Sequence, residues 1–185
     1  MPVDYVIFIH GVKVRNREVY FRDAERLFNK IKSSITNSSR EIKPVYLFWG
    51  DVSESSTNQL LESLQDSPVW QKMWFNNLRK EQLLPFIGDA ALYLSKYISA
   101  EVVKGIANQA LSQMAIFLED LEMLSSEDRL HLVTHSWGTV IIFDILFASR
   151  WEDPTLDKDT MRRINNIRKG FFGSASGGSN YGIPM

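Results

Sequence analysis

The sequence predicts an α/β fold in which a short parallel sheet is covered by helices on both faces. Three segments, residues 3–9, 45–49 and 130–134, are near-continuous apolar runs rich in β-branched and aromatic residues. Runs of this length are typical of parallel strands that are buried on both faces. A helical pattern at roughly 18–35 joins the first two runs into one βαβ unit with a right-handed crossover. We therefore predict a three-layer α/β/α arrangement with the first strand in the middle of the sheet.

A long segment separates the second predicted strand from the third, and its pattern is helical. It spans about eighty residues, 50–129, and apolar residues recur in it at spacings of three and four from about 52 to 126. We expect a large helical insertion that packs as a layer over the sheet. An alternative stays open, in which part of the insertion forms an apolar lid or substrate wall built from Trp70, Met73, Trp74 and Phe75. The Gly/Ser-rich segment 173–185 is expected to be a flexible tail.

Composition and charge exclude several classes of function. A chain of 185 residues with 44% apolar residues is long enough for one core, so 1–185 is predicted to be a single domain. The 21 Lys and Arg residues are balanced by 22 Asp and Glu residues, and we therefore expect no nucleic-acid partner. The sequence contains no cysteine, no metal-ligand motif and no glycine-rich nucleotide loop, so we predict no metal and no cofactor.

Targeting and membrane signals are absent from the sequence. Its N-terminal segment lacks both a positively charged region and a small-residue cleavage site, so it is unlike a secretory signal. No apolar stretch reaches 18 residues, so we expect no transmembrane segment. A cytoplasmic location is the resulting expectation.

A serine lies where the third predicted strand gives way to an apolar helix. The segment reads Thr134-His135-Ser136-Trp137-Gly138. This layout is typical of a nucleophile elbow, a tight strand-to-helix turn that exposes the serine Oγ above the sheet. Gly138 matches the second glycine of G-x-S-x-G, whereas Thr134 stands where the first glycine is expected. The competing interpretation is an ordinary serine N-cap.

The first predicted strand ends in His10-Gly11-Val12, and this ending suits an oxyanion loop. A glycine there lets the backbone approach the site closely and turn an N–H group toward it. Serine hydrolases take one oxyanion donor from the residue after the nucleophile, here Trp137. The second donor comes from the loop after such a strand, here Gly11 or Val12.

The two segments FIHGV at 8–12 and THSWGT at 134–139 resemble the α/β-hydrolase superfamily, specifically its serine esterase- and lipase-like members. The resemblance covers the N-terminal half of that fold. It implies that Ser136 is the nucleophile, that Val12 and Trp137 are oxyanion donors, and that a small acyl-ester or lipid-like substrate is hydrolysed through an acyl-enzyme. It also implies that His135 occupies the variable position before the nucleophile and that His10 shapes the loop.

The chain departs from the family pattern in its histidines. The family order is nucleophile, then acid, then histidine, but none of the three histidines follows Ser136. We therefore expect a C-terminally incomplete hydrolase whose turnover is near background and insensitive to Ser136→Ala. A Ser136–His10–Asp51 arrangement stays conceivable because parallel strands end at one edge of a sheet. The favoured interpretation is a backbone-bonded His10, a turn-forming Asp51 and, at His131, a satisfied strand histidine.

A second class of function is compatible with the same sequence. A non-catalytic, hydrolase-like module could use the fold to bind a ligand or a partner protein. A sheet that ends at the elbow strand would also have an open edge, which has to be paired or covered. Self-association through that edge is the corresponding expectation.

Overall fold

The fold is built from three parallel strands and the helices that connect them. The computed structural model describes residues 2–35, 39–52, 96–114 and 128–147, together with 62, 64, 66–68, 72, 89, 93 and 158. The elements in chain order are β1 (Val3–Ile9), α1 (Arg17–Ser34), β2 (Glu41–Leu47), α2 (Lys96–Gln113), β3 (Arg129–Thr134) and α3 (Trp137–Phe147). The strand order is β2-β1-β3, and both pairings are parallel. An α/β fold with the first strand in the middle of the sheet is thereby confirmed.

The middle strand, β1, is buried on both of its faces. Ile7 and Ile9 contribute to a large apolar cluster with residues of α2 and α3. Val6 and Phe8 contribute to a smaller cluster on the other face, with Phe28 of α1. Because side chains alternate along a strand, the continuous apolar run of β1 supplies both clusters at once.

Helix α1 begins and ends at residues that satisfy its free backbone groups. Asn16 is the N-cap, and its side-chain oxygen accepts a hydrogen bond of 2.9 Å from the Val19 N–H. Glu18 lies in the first turn and Lys32 in the last, and both charges interact favourably with the helix dipole. The N-cap lies only six residues after His10, so the loop between β1 and α1 is short.

Strand β2 differs from its prediction because it starts four residues earlier and ends two residues earlier than 45–49. Its first half, Glu41 to Pro44, alternates between exposed and half-buried residues instead of forming an apolar run. Pro44 is compatible with this position because an edge strand leaves one side of its backbone unpaired. Phe48 and Trp49 lie beyond the strand end, yet they are only 3% and 1% exposed. Their apolar character reflects packing around His10, not membership of the strand.

Two glutamine side chains of α2 cover the outer edge of β2. Gln113 accepts a hydrogen bond from the Tyr46 N–H and donates one to the Tyr46 carbonyl, both at 2.8 Å. Gln109 makes the same pair of bonds with Phe48, at 2.9 and 2.7 Å. The side-chain amides thus take the place that the peptide groups of a neighbouring strand would occupy.

Part of the predicted helical insertion falls within the described residues. Helix α2 belongs to the expected insertion of about 52–126, and Asp89 and Tyr93 are also helical. The expected lid residues and the tail 173–185 lie outside the described residues; the former are Trp70, Met73, Trp74 and Phe75. Among the described helices, none is long and apolar enough to cross a bilayer.

Candidate active site

Ser136 lies on the turn between β3 and α3, where the sequence places it. Its φ angle is 52°, in the left-handed region that residues with a Cβ rarely adopt. At the start of α3, the Gly138 N–H donates to the His135 carbonyl and the Thr139 N–H to the Ser136 carbonyl, both at 3.0 Å. An N-cap residue has extended backbone instead, and its side chain accepts a bond from the first turn. The Ser136 Oγ accepts no such bond from the described residues, so the structure lacks the features of an ordinary serine cap.

The end of β1 lies directly against this turn because two glycines, Gly11 and Gly138, carry no Cβ that would occupy the space between them. A Cβ on Gly138 would lie 2.5 Å from the His10 carbonyl oxygen. A Cβ on Gly11 would lie 2.8 Å from the Ser136 Cβ and 3.1 Å from the His135 carbonyl oxygen. The two sequence motifs, at 8–12 and 134–139, therefore meet in space at Gly11 and Ser136, which are 125 positions apart in the chain.

Hydrogen bonds hold the turn in place on the β1 side and within itself. The His135 N–H donates to the Ile9 carbonyl at 3.2 Å, which extends the pairing of β1 and β3 into the turn. The hydroxyls of Thr139 and Thr134 lie 2.8 Å apart and bridge the two sides of the turn. Thr134, which replaces the first glycine of the motif, thus contributes a hydroxyl contact.

Two backbone N–H groups in the segments that meet at Gly11 and Ser136 are free of acceptors within the described part of the chain. Neither the Val12 N–H nor the Trp137 N–H donates to another described residue. Trp137 is the first residue of α3, where N–H groups have no partner within the helix and carry the positive end of its dipole. The family resemblance implies these two residues as oxyanion donors, and the sequence leaves Gly11 as the alternative to Val12.

The loop that carries Val12 is held by a residue that the sequence prediction missed. The Asp89 side chain is fully buried, accepts a hydrogen bond of 2.9 Å from the Lys13 N–H, and forms an ion pair with Arg15. Lys13 has a φ angle of 66°, again in the left-handed region. Asp89 lies 76 positions from Lys13 in the chain, and no local motif marks either residue as a partner of the other.

The side chain of Trp137 packs into the core next to the site. Its ring meets the ring of Tyr93 edge to face, with centroids 6.4 Å apart. The Tyr93 hydroxyl donates a 2.6 Å hydrogen bond to the Asp144 carboxylate, which lies two turns further along α3. The buried Trp137 Nε1 has no acceptor in the part of the chain that the structure describes. Trp137 is therefore positioned by packing.

His10 is a structural residue in this arrangement, because both ring nitrogens are engaged. Nδ1 lies 2.7 Å from the Gly11 carbonyl, to which it donates, and Nε2 accepts from the Trp49 N–H at 3.1 Å. The ring stacks on the Trp49 indole, and burial lowers the pKa of His10 to about 4. Asp51 is exposed just beyond Gly50. The structure therefore does not bring Ser136, His10 and Asp51 into a hydrogen-bonded chain.

The other two histidines are exposed and do not contact the Ser136 hydroxyl. His131 lies in β3 with its Nε2 3.8 Å from an Asp4 carboxylate oxygen, at the opposite end of the strand from the turn. His135 precedes Ser136, and its ring lies beside Gly11. None of the three histidines is hydrogen-bonded to Ser136, and the described residues contain no cluster of metal-binding side chains.

Comparison with known proteins adds no relative to this description. No protein-family model, no curated protein and no solved structure matches the chain. The function must therefore be argued from the motifs and from the geometry of the turn.

Proposed function

We propose that the chain is a serine hydrolase of the α/β-hydrolase type that acts on a carboxylic ester through an acyl-enzyme. The observation that supports the proposal is the left-handed Ser136 next to Gly11, where two segments meet whose Val12 and Trp137 N–H groups have no acceptor among the described residues. In this proposal the Ser136 Oγ attacks the ester carbonyl, and the N–H groups of Val12 and Trp137 stabilise the negative oxygen that develops. A three-layer arrangement with a large helical insertion and a cytoplasmic location belong to the same proposal.

The surroundings of Ser136 favour an apolar acyl group. Val12 and Trp137 are partly buried and pack against the large core cluster on either side of the turn. Tyr93 supports Trp137 from within the core and is itself buried. An acyl chain bound along Val12 and Trp137 would bury apolar surface and leave its carbonyl at the Ser136 hydroxyl.

A general base is the component that the described geometry does not supply. A serine hydroxyl is a poor nucleophile at neutral pH until a base accepts its proton. In characterised triads, loss of the base costs roughly a million-fold in rate, and the oxyanion hole with substrate binding retains about 10³–10⁴-fold over water. We therefore expect slow ester turnover that is insensitive to Ser136→Ala.

Exogenous imidazole provides a test that does not depend on an internal base. Ser136 is exposed, so imidazole in solution can reach its hydroxyl and accept the proton. We expect imidazole to raise the hydrolysis of short and long p-nitrophenyl esters more for the wild type than for Ser136→Ala. Imidazole also hydrolyses such esters by itself, and the Ser136→Ala protein measures that contribution. Ser33→Ala, an exposed serine in α1, is the matched control and should behave as the wild type.

Each outcome of this experiment decides one part of the proposal. A Ser136-dependent increment, together with one acyl group on Ser136 detected by mass spectrometry, supports the proposal. Equal rates for the wild type and Ser136→Ala at every imidazole concentration would contradict it. If the wild type turned over fast without imidazole and Ser136→Ala abolished that turnover, the protein would have an internal base after all. Variants of His10, His131 and His135 would then identify it.

A non-catalytic binding module is the second candidate, and one observation favours it. None of the three histidines approaches the Ser136 hydroxyl within hydrogen-bond distance. A module of this kind would bind a long-chain acyl ligand with the same affinity in the wild type and in Ser136→Ala. It would show no covalent acylation at any imidazole concentration.

A further inference from the structure

We propose that Asp89, acting with Arg15, is a positioning residue that fixes the direction of the Val12 N–H toward Ser136. The proposal rests on the proposed function, since Val12 matters only if an oxyanion is formed. Asp89 comes from the segment between β2 and β3, whereas Val12 lies in the loop after β1. The inference therefore connects the inserted segment with the chemistry of the turn.

Both oxygens of the Asp89 carboxylate accept hydrogen bonds from residues of this loop. Its Oδ2 accepts hydrogen bonds from the Lys13 N–H at 2.9 Å and from the Arg15 Nη1 at 3.0 Å. Its Oδ1 accepts a bond from the Arg15 Nη2. The pairing of a guanidinium with both oxygens of a carboxylate fixes the relative orientation of the two groups as well as their distance.

The bond to Lys13 controls the backbone of Val12 directly. The Lys13 N–H belongs to the peptide group that follows Val12, so its direction is set by the ψ angle of Val12. A carboxylate that holds this N–H therefore restrains the ψ angle of Val12 and anchors the peptide group on that side. The Val12 N–H itself belongs to the preceding peptide group, so its direction depends on how both ends of Val12 are held. Gly11, on the other side of Val12, lies against the Ser136 Cβ.

The loop needs such a restraint because its conformation is unfavourable by itself. Lys13 has a φ angle of 66°, and a residue with a Cβ keeps this conformation only when its surroundings enforce it. Gly50 restrains the loop from the β2 side, since a Cβ there would lie 1.9 Å from the Val14 carbonyl oxygen. The Arg15 Nη1 also lies 3.4 Å from the Gly50 carbonyl, so Arg15 joins the two restraints.

An ion pair that only stabilises the fold is the competing explanation, and the chain offers a matched control. Arg40 and Asp4 form a second ion pair, at 2.7 Å, with side chains 17% and 16% exposed. This pair lies at the opposite end of β1 from the loop. Asp4→Asn and Asp89→Asn make the same chemical change, and both leave an arginine without its carboxylate.

The test compares these two variants by two readouts. Amide hydrogen exchange, resolved by residue, reports the loop, and Ser136-dependent turnover in imidazole reports its effect on the reaction. We expect Asp89→Asn to raise exchange at Lys13 at least tenfold and to lower kcat by about 10–100-fold with little change in KM. Asp4→Asn should change neither readout. Arg15→Lys keeps the positive charge but loses the bidentate contact with Asp89. Its exchange rate at Lys13 and its kcat should lie between those of the wild type and those expected for Asp89→Asn. It replaces Asp89→Asn in the test if that variant does not fold.

The two readouts separate the failure of this proposal from the failure of the proposed function. Unchanged exchange at Lys13 in Asp89→Asn and Arg15→Lys would overturn the role of Asp89. Equal losses of kcat in Asp89→Asn and Asp4→Asn would overturn it as well, because the effect would then follow stability alone. If the wild type shows no Ser136-dependent turnover, the proposed function fails, and exchange at Lys13 alone decides whether Asp89 holds the loop.

Discussion

Replacement of Gly138 by alanine tests the close contact between α3 and β1. The new Cβ would lie 2.5 Å from the His10 carbonyl oxygen and 3.0 Å from that of Ile9, and both are backbone atoms. The first turn of α3 would have to move by about 1 Å to restore ordinary contacts. Overpacking of this kind costs about 1–3 kcal/mol, against a gain of at most about 1 kcal/mol in helix propensity. We expect a net loss of about 1–2 kcal/mol in the free energy of unfolding.

Gly105→Ala is the matched control for this substitution. Gly105 lies inside α2, and a Cβ there would meet nothing within 4 Å. The free energy of unfolding, measured in urea, should therefore rise by about 0.5–1 kcal/mol in Gly105→Ala and fall in Gly138→Ala. The Ser136-dependent turnover that imidazole brings about should also fall about a hundredfold in Gly138→Ala, since the turn that carries Ser136 moves with the helix. A Gly138→Ala protein at least as stable as the wild type would refute the contact.

Two further predictions concern pH and the β2 edge. The pKa of His10 is about 4 in the folded chain and 6.5 when unperturbed, so the unfolded chain binds the proton more tightly. The free energy of unfolding therefore includes the full contribution of neutral His10 above about pH 6.5, and it loses roughly 3 kcal/mol of this contribution as the pH falls to 4. A His10→Asn protein whose stability depends on pH in the same way would contradict this prediction. Gln109→Leu leaves the N–H and carbonyl of Phe48 unpaired and should cost about 1–3 kcal/mol in urea unfolding. Glu101→Leu, at an exposed position of α2, should change stability by less than about 0.5 kcal/mol, and an equal effect of both would argue against the edge contact.

The strands that the sequence predicts best are those whose burial is uniform. β1 is buried on both faces, so its apolar run coincides with the strand from Val3 to Ile9. β2 lies at an edge and alternates in burial, so its polar first half carries no strand signal, and Pro44 argues against one. The predicted strand at 45–49 includes Phe48 and Trp49, because an apolar run in a sequence does not distinguish burial within a strand from packing around a histidine ring.

The candidate site likewise combines a feature that the sequence predicts with one that it does not. The turn at Ser136 could be predicted because its signals are local: a strand, a serine, a nearby glycine and an apolar helix follow one another directly. The pairing of Asp89 with Lys13 and Arg15 could not be predicted, because it joins residues more than seventy positions apart through one carboxylate. Nothing in a single sequence distinguishes Asp89 from the other acidic residues of a helical segment.

The glutamine contacts of α2 make the two edges of the sheet unequal. Gln113 pairs with the outward backbone groups of Tyr46 near the end of β2, and Gln109 pairs with those of Phe48 just beyond it, whereas the outer edge of β3 has no partner strand among the described residues. Leu132 in β3 and Phe143 in α3 are 38% and 64% exposed. Within the described part of the chain, β3 is therefore the edge whose backbone is open to an added strand. If two copies paired through β3, both free edges would be consumed, so assembly would stop at a closed pair and would not propagate into a fibre.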